Sequence, residues 1–516
     1  MKHYFKLLIF VFFIGTLLTV FRGGVTEGDS NAPANSEHIM AIDQGIERLF
    51  GGQKIKEFSM EECTRLAIIN SFEVKIAKLD LYIAETDLML SEAVYDTLLY
   101  GGASYTQDRN QQISVFAAKD EQVNDYYGGI SKKLPTGTEL NLEAGDTRLW
   151  DEFPRNSFVV NNPSHTVEVK MEVKQPLGKN IFGYVDRGKV TLTSLAVKNA
   201  SLQSQDDIEA LVARAEEAYL ELAFAKKNLK IFYDMLDRAR KLYDSDNRNF
   251  NTGLVERVDL YNSEANVAKR EAEVLVAEND YNRSEADLKF IMNIPSDVRV
   301  VPSDDLELAP SQINLVDCIK EAFERRRDYY IRKRDVEIRG LDLKIKGNEK
   351  WPEIDVTASL TMNGIDSKFN KAVGRGVTTQ HPEYYLGVEA SFPLENREAR
   401  SRYDRSKHEK EKSIVNLKKT ERAIITEVGN SFNDVMAYEA SIVYMTEAVD
   451  LQHKKLNEEE KRFKYGRSST KRIIDYQQDF LFAQLEDARY MLNHRRANVE
   501  LLRSMNTLLE KYEGLI

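Results

Sequence analysis

The sequence predicts a mainly α-helical chain with a smaller β portion, built as a tandem repeat, and three observations carry that expectation. The first is duplication. Gly253 in Asn251-Thr252-Gly253-Leu254-Val255 and Gly466 in Lys464-Tyr465-Gly466-Arg467-Ser468 stand 466 − 253 = 213 residues apart, each between a very long helical pattern and a shorter one. The second is uninterrupted length: after Gly188 no Gly or Pro occurs until Gly253, a span of 64 residues. Such a helix covers roughly 95 Å at 1.5 Å per residue. The third is a change of period, with Val167, Val169, Met171 and Val173 alternating with Thr166, Glu168, Lys170 and Glu172 as in a strand with one wet face. A duplicated unit that cannot bury its apolar face alone points to an assembly made by repetition.

Taken in order, residues 1–25 read as a secretory leader. Lys2 and Lys6 precede an uncharged run from Leu7 to Phe21, shorter than the about 20 apolar residues that span a bilayer. An uncleaved anchor is the other reading of this stretch. Residues 26–58 are polar and read as a flexible lead-in. The first structural repeat, 59–296, opens with a helix from Met60 to about Ala93, where Leu66, Ala67, Ile76, Leu79, Ile83 and Leu88 recur at helical spacing. Strands follow over about 96–176: Thr97 to Tyr105, His165 to Lys174, and between them an additional hairpin from Gly129 to Glu143 turning at Pro135-Thr136-Gly137. A long helical hairpin then occupies 189–294. In its first arm Ile208, Leu211, Ala215, Ala218, Leu222, Ala225, Leu229, Phe232, Leu236, Ala239 and Tyr243 keep a 3–4 alternation, the seven-residue repeat of supercoiled packing.

Residues 297–314 read as a linker. The second repeat, 315–516, has a helix from Leu315 ended by Trp351-Pro352, strands within about 352–393 (Ile354 to Met362 and Tyr384 to Phe392), and a helical hairpin over 394–512. Its arms are Leu394 to Tyr465 and Thr470 to Tyr512. The distance from Cys63 to Ala218 is 155 residues, but from Cys318 to the equivalent Ser431 only 113, an excess of 42 in the first half. The additional hairpin accounts for it, either as strands of the sheet or as loops.

Composition narrows the function. The chain has 516 residues, 30% of them charged and 42% hydrophobic, and a net charge of −11, which argues against a nucleic-acid partner. The only two cysteines, Cys63 and Cys318, lie at matching places in the repeats and read as apolar fillers of a helix face. No Gly-rich phosphate loop follows a strand, and no His/Cys cluster has metal-ligand spacing. The expectation is no enzyme, no cofactor and no metal.

Strands with one apolar and one polar face suit a wall between lipid and water, although a soluble sheet with one wet face has the same pattern. On the membrane reading, Tyr100, Tyr105, Tyr126, Tyr127, Trp351, Tyr384 and Tyr385 stand where an interfacial girdle would lie. The minimal count of two strands per half gives four per chain, and membrane barrels begin at about eight, so several chains must share one barrel.

From Glu57 to Tyr512 the sequence resembles the TolC-like outer membrane efflux proteins. The resemblance lies in the helix opening Met60-Glu61-Glu62-Cys63-Thr64-Arg65-Leu66-Ala67 and the strand-to-helix junctions Val173-Lys174-Gln175-Pro176-Leu177 and Ser391-Phe392-Pro393-Leu394. It lies also in the hairpin tips Thr252-Gly253-Leu254 and Tyr465-Gly466-Arg467. It implies a homotrimer: a twelve-stranded β-barrel in the outer membrane of a Gram-negative bacterium, continued by an α-helical barrel across the periplasm. The implied role is the passive exit duct of a tripartite efflux pump or type I secretion system, with a periplasmic adaptor and an inner-membrane transporter as partners. The tips, Thr252, Gly253, Leu254, Tyr465, Gly466 and Arg467, would meet the adaptor. Family members narrow the entrance with aspartates beyond the second tip. Asp475 matches the first; the next family position falls on Gln478, with Asp479 one residue on, and Asp259 stands near the first tip. A ring of such carboxylates in a narrow channel would favour cations; on a solvated helix face the same residues are only paired surface charge. Arg467, Lys471 and Arg472 would supply ion pairs holding the entrance shut, each worth up to about 1 kcal/mol. The competing reading is an exported coiled-coil scaffold, or the adaptor itself, without a pore.

Overall fold

The computed structural model describes residues 54–111, 120–152, 162–304, 313–378 and 381–515. The leader 1–25 and most of the lead-in 26–58 lie outside the described residues. The chain divides into two compact units, one holding Ala84–Val197 and Asp335–Ile414, the other Lys198–Arg334, Val415–Ile516 and the described residues before Ala84.

The first unit is organised by an antiparallel sheet of six strands: β2 (Thr97–Asp108), β3 (Glu121–Lys133), β4 (Glu139–Asp151), β5 (Ser164–Pro176), β7 (Glu353–Asp366) and β8 (Pro382–Ser391), in the order β2-β3-β4-β5-β7-β8. The additional hairpin therefore enters the sheet as strands, and the chain contributes six rather than the minimal four. Its tight turn is where the sequence places it: Gly137, at φ +75°, donates to the Leu134 carbonyl at 2.8 Å, closing Pro135-Thr136.

The register fixes the two faces. Leu99, Ile130, Leu142, Met171, Leu360 and Tyr384 fall in one row across all six strands. Two residues along, Gly101, Gly128, Ala144, Val169 and Met362 continue the same face. The opposite face carries Tyr100, Gly129, Glu143, Lys170 and Thr361 in its corresponding row. This register corrects the expected girdle. Tyr105, Tyr126 and Tyr384 lie on the apolar face, but Tyr100, Tyr127 and Tyr385 lie on the polar one, because adjacent tyrosines in a strand must point to opposite sides. Tyr100 instead lies across the strand over Gly129, where an added Cβ would meet its ring at 2.6 Å, and its hydroxyl donates to Glu143 Oε2 at 2.8 Å. A short helix, α7 (Phe369–Gly376), closes over the far end of the apolar face, with the Phe369 ring 5.7 Å from that of His165.

The helices show the repeat. The opening helix α1 (Met60–Asn70, 11 residues) has its counterpart in α5 (Leu315–Arg325, 11 residues). The hairpin arms α3 (Tyr184–Asn251) and α8 (Arg397–Lys464) are each 68 residues long. Their partners α4 (Arg257–Met292) and α9 (Thr470–Met505) are each 36. All four arm boundaries keep the offset of 213. Leu211, Ala215 and Leu222 of the heptad pattern are fully buried, as are their equivalents Ile424, Val428 and Val435.

Several boundaries differ from expectation, and the long arms begin at Tyr184 and Arg397 rather than at 189 and 394. The first helix breaks at Ser71, whose extended backbone ends α1 and whose hydroxyl accepts from Val74 N–H at 3.3 Å to start α2 (Phe72–Glu92). The second repeat breaks likewise at Arg326, before α6 (Arg327–Asn348). The last helix stops at Asn506, in left-handed conformation at φ +56°, rather than reaching Tyr512. Finally, the lead-in and the linker are not wholly irregular: β1 (Lys54–Phe58) and β6 (Val298–Pro302) pair in parallel. These residues are far apart in sequence and carry no alternation that separates a strand from a linker.

Candidate functional site

Both hairpin tips are built by the same local chemistry. Gly253 and Gly466 sit at φ +76° and +70°, a conformation that costs other residues a clash at Cβ. Gly253 N–H donates to Phe250 O and Leu254 N–H to Asn249 O (2.9 and 2.8 Å); Gly466 and Arg467 repeat this on Phe463 and Arg462 (2.9 Å each). This paired closure satisfies the last carbonyls of each long arm. Leu254 and Tyr465 project from the turns at 78% and 81% exposure.

The candidate gate residues lie just behind the tips but do not form one set. Asp475 is exposed and makes no ion pair among the described residues. Asp479 pairs with Lys455 at 2.8 Å across the same hairpin. Gln478 accepts from Arg270 Nη2 at 2.8 Å and from Lys269 Nζ at 3.2 Å, joining α9 to α4 of the other repeat. Arg270, whose side chain is 1% exposed, is neutralised by Glu273 at 2.7 Å. A carboxylate at 478 would add a second anion to that pair; the amide instead serves as an uncharged acceptor. Asp259 is not the counterpart of Asp475: with the offset of 213 it matches Arg472, and Asp475 matches Asn262.

The offset also exposes a pair of carboxylates that sequence reasoning missed, Asp246 and Glu459, one on each long arm (459 − 246 = 213). Both are buried, with opposite chemistry. Asp246 Oδ1 accepts from the Thr470 hydroxyl at 3.1 Å, linking the two repeats, while Oδ2 has no partner among the described residues. Burial pushes its carboxyl above the ordinary range, and nearby Asp259 adds to the effect. Glu459 accepts from the Ser468 hydroxyl at 2.7 Å and faces Arg472 and Arg462 at 3.4 and 3.5 Å. The Ser468 hydrogen bond, then these guanidinium groups, hold its carboxyl below the ordinary range. Arg472 is thus engaged inside its own hairpin. Arg467 and Lys471 form no ion pair among the described residues.

No group of His, Cys, Asp or Glu among the described residues is arranged to hold a metal ion, and no described helix is long and apolar enough to cross a membrane. Cys63 and Cys318 are both buried and unpaired. Burial pushes the Cys63 thiol up to about 12.

No curated protein sequence matches the chain. Solved structures do. The outer-membrane channel OprN is 15% identical with a TM-score of 0.66, covering 87% of this chain and 90% of its own. The Campylobacter jejuni CmeC outer membrane channel is 12% identical with a TM-score of 0.65, covering 88% and 89%. The Vibrio cholerae outer membrane protein VceC is 13% identical with a TM-score of 0.63, covering 86% and 95%. At these identities the likeness is one of fold. A family model described as outer membrane efflux protein matches residues 139–293 and 321–507, more than half of the sequence and one segment in each repeat. The chain belongs to the outer membrane efflux protein family.

Proposed function

We propose that three copies of the chain form the exit duct of a tripartite efflux pump or type I secretion system. In this reading the leader 1–25 directs export. The two repeats, 59–296 and 315–516 joined through 297–314, give each copy its sheet and its paired helical hairpins. The sheets close as one barrel in the outer membrane of a Gram-negative bacterium, and the hairpins line a periplasmic barrel. The tips around Thr252–Leu254 and Tyr465–Arg467 dock the adaptor. Conduction is gated diffusion, with no bond made or broken and no cofactor, metal or nucleic acid involved.

The observation that carries the reading is the sheet. Its strands are 10–14 residues long, long enough to cross the hydrocarbon, which needs about 9–11 residues of tilted strand. One face carries an apolar band across all six strands, bounded by Lys132 at one end and by Asp146 and Arg148 at the other. Among the described residues β2 and β8 each leave one edge unpaired, and an open edge is not tolerated in lipid, so further strands must close it. Asp475 is the gate residue in this account, because it alone of the candidates is exposed and uncommitted; Asp479 and Gln478 already serve contacts within one copy.

The test is planar-bilayer conductance of the purified oligomer before and after Asp475→Ala, with outer-membrane fractionation alongside. A channel fractionates with the outer membrane, conducts, and changes its conductance on substitution. A protein that remains soluble without detergent and passes no current is a scaffold, and the proposal fails.

A further inference from the structure

The six-stranded sheet, together with the trimeric reading above on which this inference rests, determines the bore of the exit. The second repeat supplies two strands, β7 and β8; the first supplies four. The family match takes in the whole α6-β7-β8 stretch of the second repeat, but in the first it begins only at residue 139, so α1, α2, β2 and β3 all lie outside it. The surplus is regular sheet. β3 pairs with β2 over Glu121–Lys132 and with β4 over its full length, and β4 pairs with β5 over Glu139–Leu149, without a bulge in the register.

An even number of antiparallel strands has a further consequence. β2 and β8 run in opposite directions, so the β8 edge of one copy meets the β2 edge of the next in antiparallel pairing, as in every other pair of the sheet. Three six-stranded sheets make eighteen strands. Barrel diameter grows nearly in proportion to strand number, so this barrel is about 1.5 times as wide as a twelve-stranded one. Barrels of about 16–18 strands leave an open aqueous channel.

The inner wall follows from the register. The polar face bears carboxylates on every strand, among them Glu143, Glu168, Glu172, Asp355, Glu383 and Glu389. Its strands hold three lysines there, each already paired: Lys133 with Asp186 at 2.9 Å, Lys170 with Glu172 at 2.7 Å and Lys174 with Asp355 at 2.8 Å. A water-filled passage with such a wall favours cations. α7, which packs against the sheet, lies on the apolar face, over Val167 and Gly364.

We infer that the trimer closes as an eighteen-stranded barrel, an exit wide enough for bulky hydrophilic solutes and lined to favour cationic ones.

Two measurements on the full-length oligomer test it. Cryo-electron microscopy of the trimer in lipid nanodiscs counts the strands: eighteen are expected, and a closed barrel of twelve overturns the inference. The copy number in the same particles separates this from the parent reading, since a particle of two copies closing twelve strands overturns both, whereas three copies with twelve strands overturns the bore alone. The second measurement uses Ser359→Cys, on the polar face, and Leu360→Cys, on the apolar face, in proteoliposomes. Cys63 and Cys318, being buried, leave these as the reporting thiols. Ser359→Cys is expected to react with a polymer-linked maleimide and severalfold faster with a cationic than with an anionic thiosulfonate, while Leu360→Cys reacts with none of the three. Unreactive Ser359→Cys, reactive Leu360→Cys, or equal rates with the two thiosulfonates would overturn it.

Discussion

The two repeats carry the same helices and different sheets. Their hairpin arms agree residue for residue, 68 and 36 in each, although few side chains are shared between them. Their strand counts are four and two. A long coiled-coil arm reads its neighbours every few residues, so an insertion would throw every later contact out of register. A sheet accepts a whole hairpin at no such cost, because two added strands restore the direction, the face and the pairing of the strand that follows. Growth is therefore confined to the sheet.

Paired substitutions at equivalent positions measure how far the two repeats agree. The largest contrast is expected at Glu209 and its counterpart Arg422. Glu209 is buried beneath Arg327 and also accepts from Asn506 Nδ2 at 2.9 Å and from Leu508 N–H at 3.1 Å, pinning the C-terminal turn. Glu209→Ala leaves those partners unsatisfied and costs about 3–5 kcal/mol. Arg422→Ala, on the exposed face, stays within about 0.5 kcal/mol. Denaturant midpoints in detergent separate the two.

Leu211→Ala and Ile424→Ala are expected to match, each costing about 2–5 kcal/mol, because each removes a fully buried side chain from the same turn of the heptad. A threefold difference in the denaturant-derived loss would mean that the two arms are not packed equivalently. Gly253→Ala and Gly466→Ala are also expected to match at about 1–2 kcal/mol, read by thermal unfolding, since both place a Cβ in the left-handed region with open space around it.

The smallest effect is a pH dependence with opposite signs at Asp246 and Glu459. The folded state raises the Asp246 carboxyl, so it binds a proton more tightly than the unfolded chain, and its contribution falls as pH rises above the ordinary carboxylate value of 3.8. The folded state lowers the Glu459 carboxyl; its contribution is present above 4.5 and is lost as pH falls through the lowered value. Asp246→Asn should therefore flatten the decline of the thermal midpoint on the alkaline side of this range, and Glu459→Gln the decline on the acid side. Identical profiles for the two variants would contradict the distinction.

The helical plan was legible because Gly and Pro punctuate it. Gly253, Pro295 and Gly466 close patterns that keep a helical period, whereas α3 runs from Tyr184 through Gly188. The stop at Asn506 carries the same signal one repeat later, since Asn506 stands 213 residues after Asn293 and both adopt the left-handed cap, but it has no Pro beside it. The break at Ser71 involves neither Gly nor Pro, only a serine placed to cap the next helix. The β1–β6 pairing and the Arg270–Gln478 link join residues more than two hundred positions apart and have no local signature. The split of the tyrosines between faces was legible in principle, because Tyr126-Tyr127 and Tyr384-Tyr385 are adjacent and a strand sends neighbours to opposite sides.

The proposed duct depends on self-association, since the six strands among the described residues leave two open edges, which lipid does not tolerate. The most direct test is native mass spectrometry of the detergent-extracted protein, paired with conductance of the same preparation. The account predicts a complex of three chains that carries current across a bilayer. A stably folded single chain that needs no detergent and carries none would contradict it.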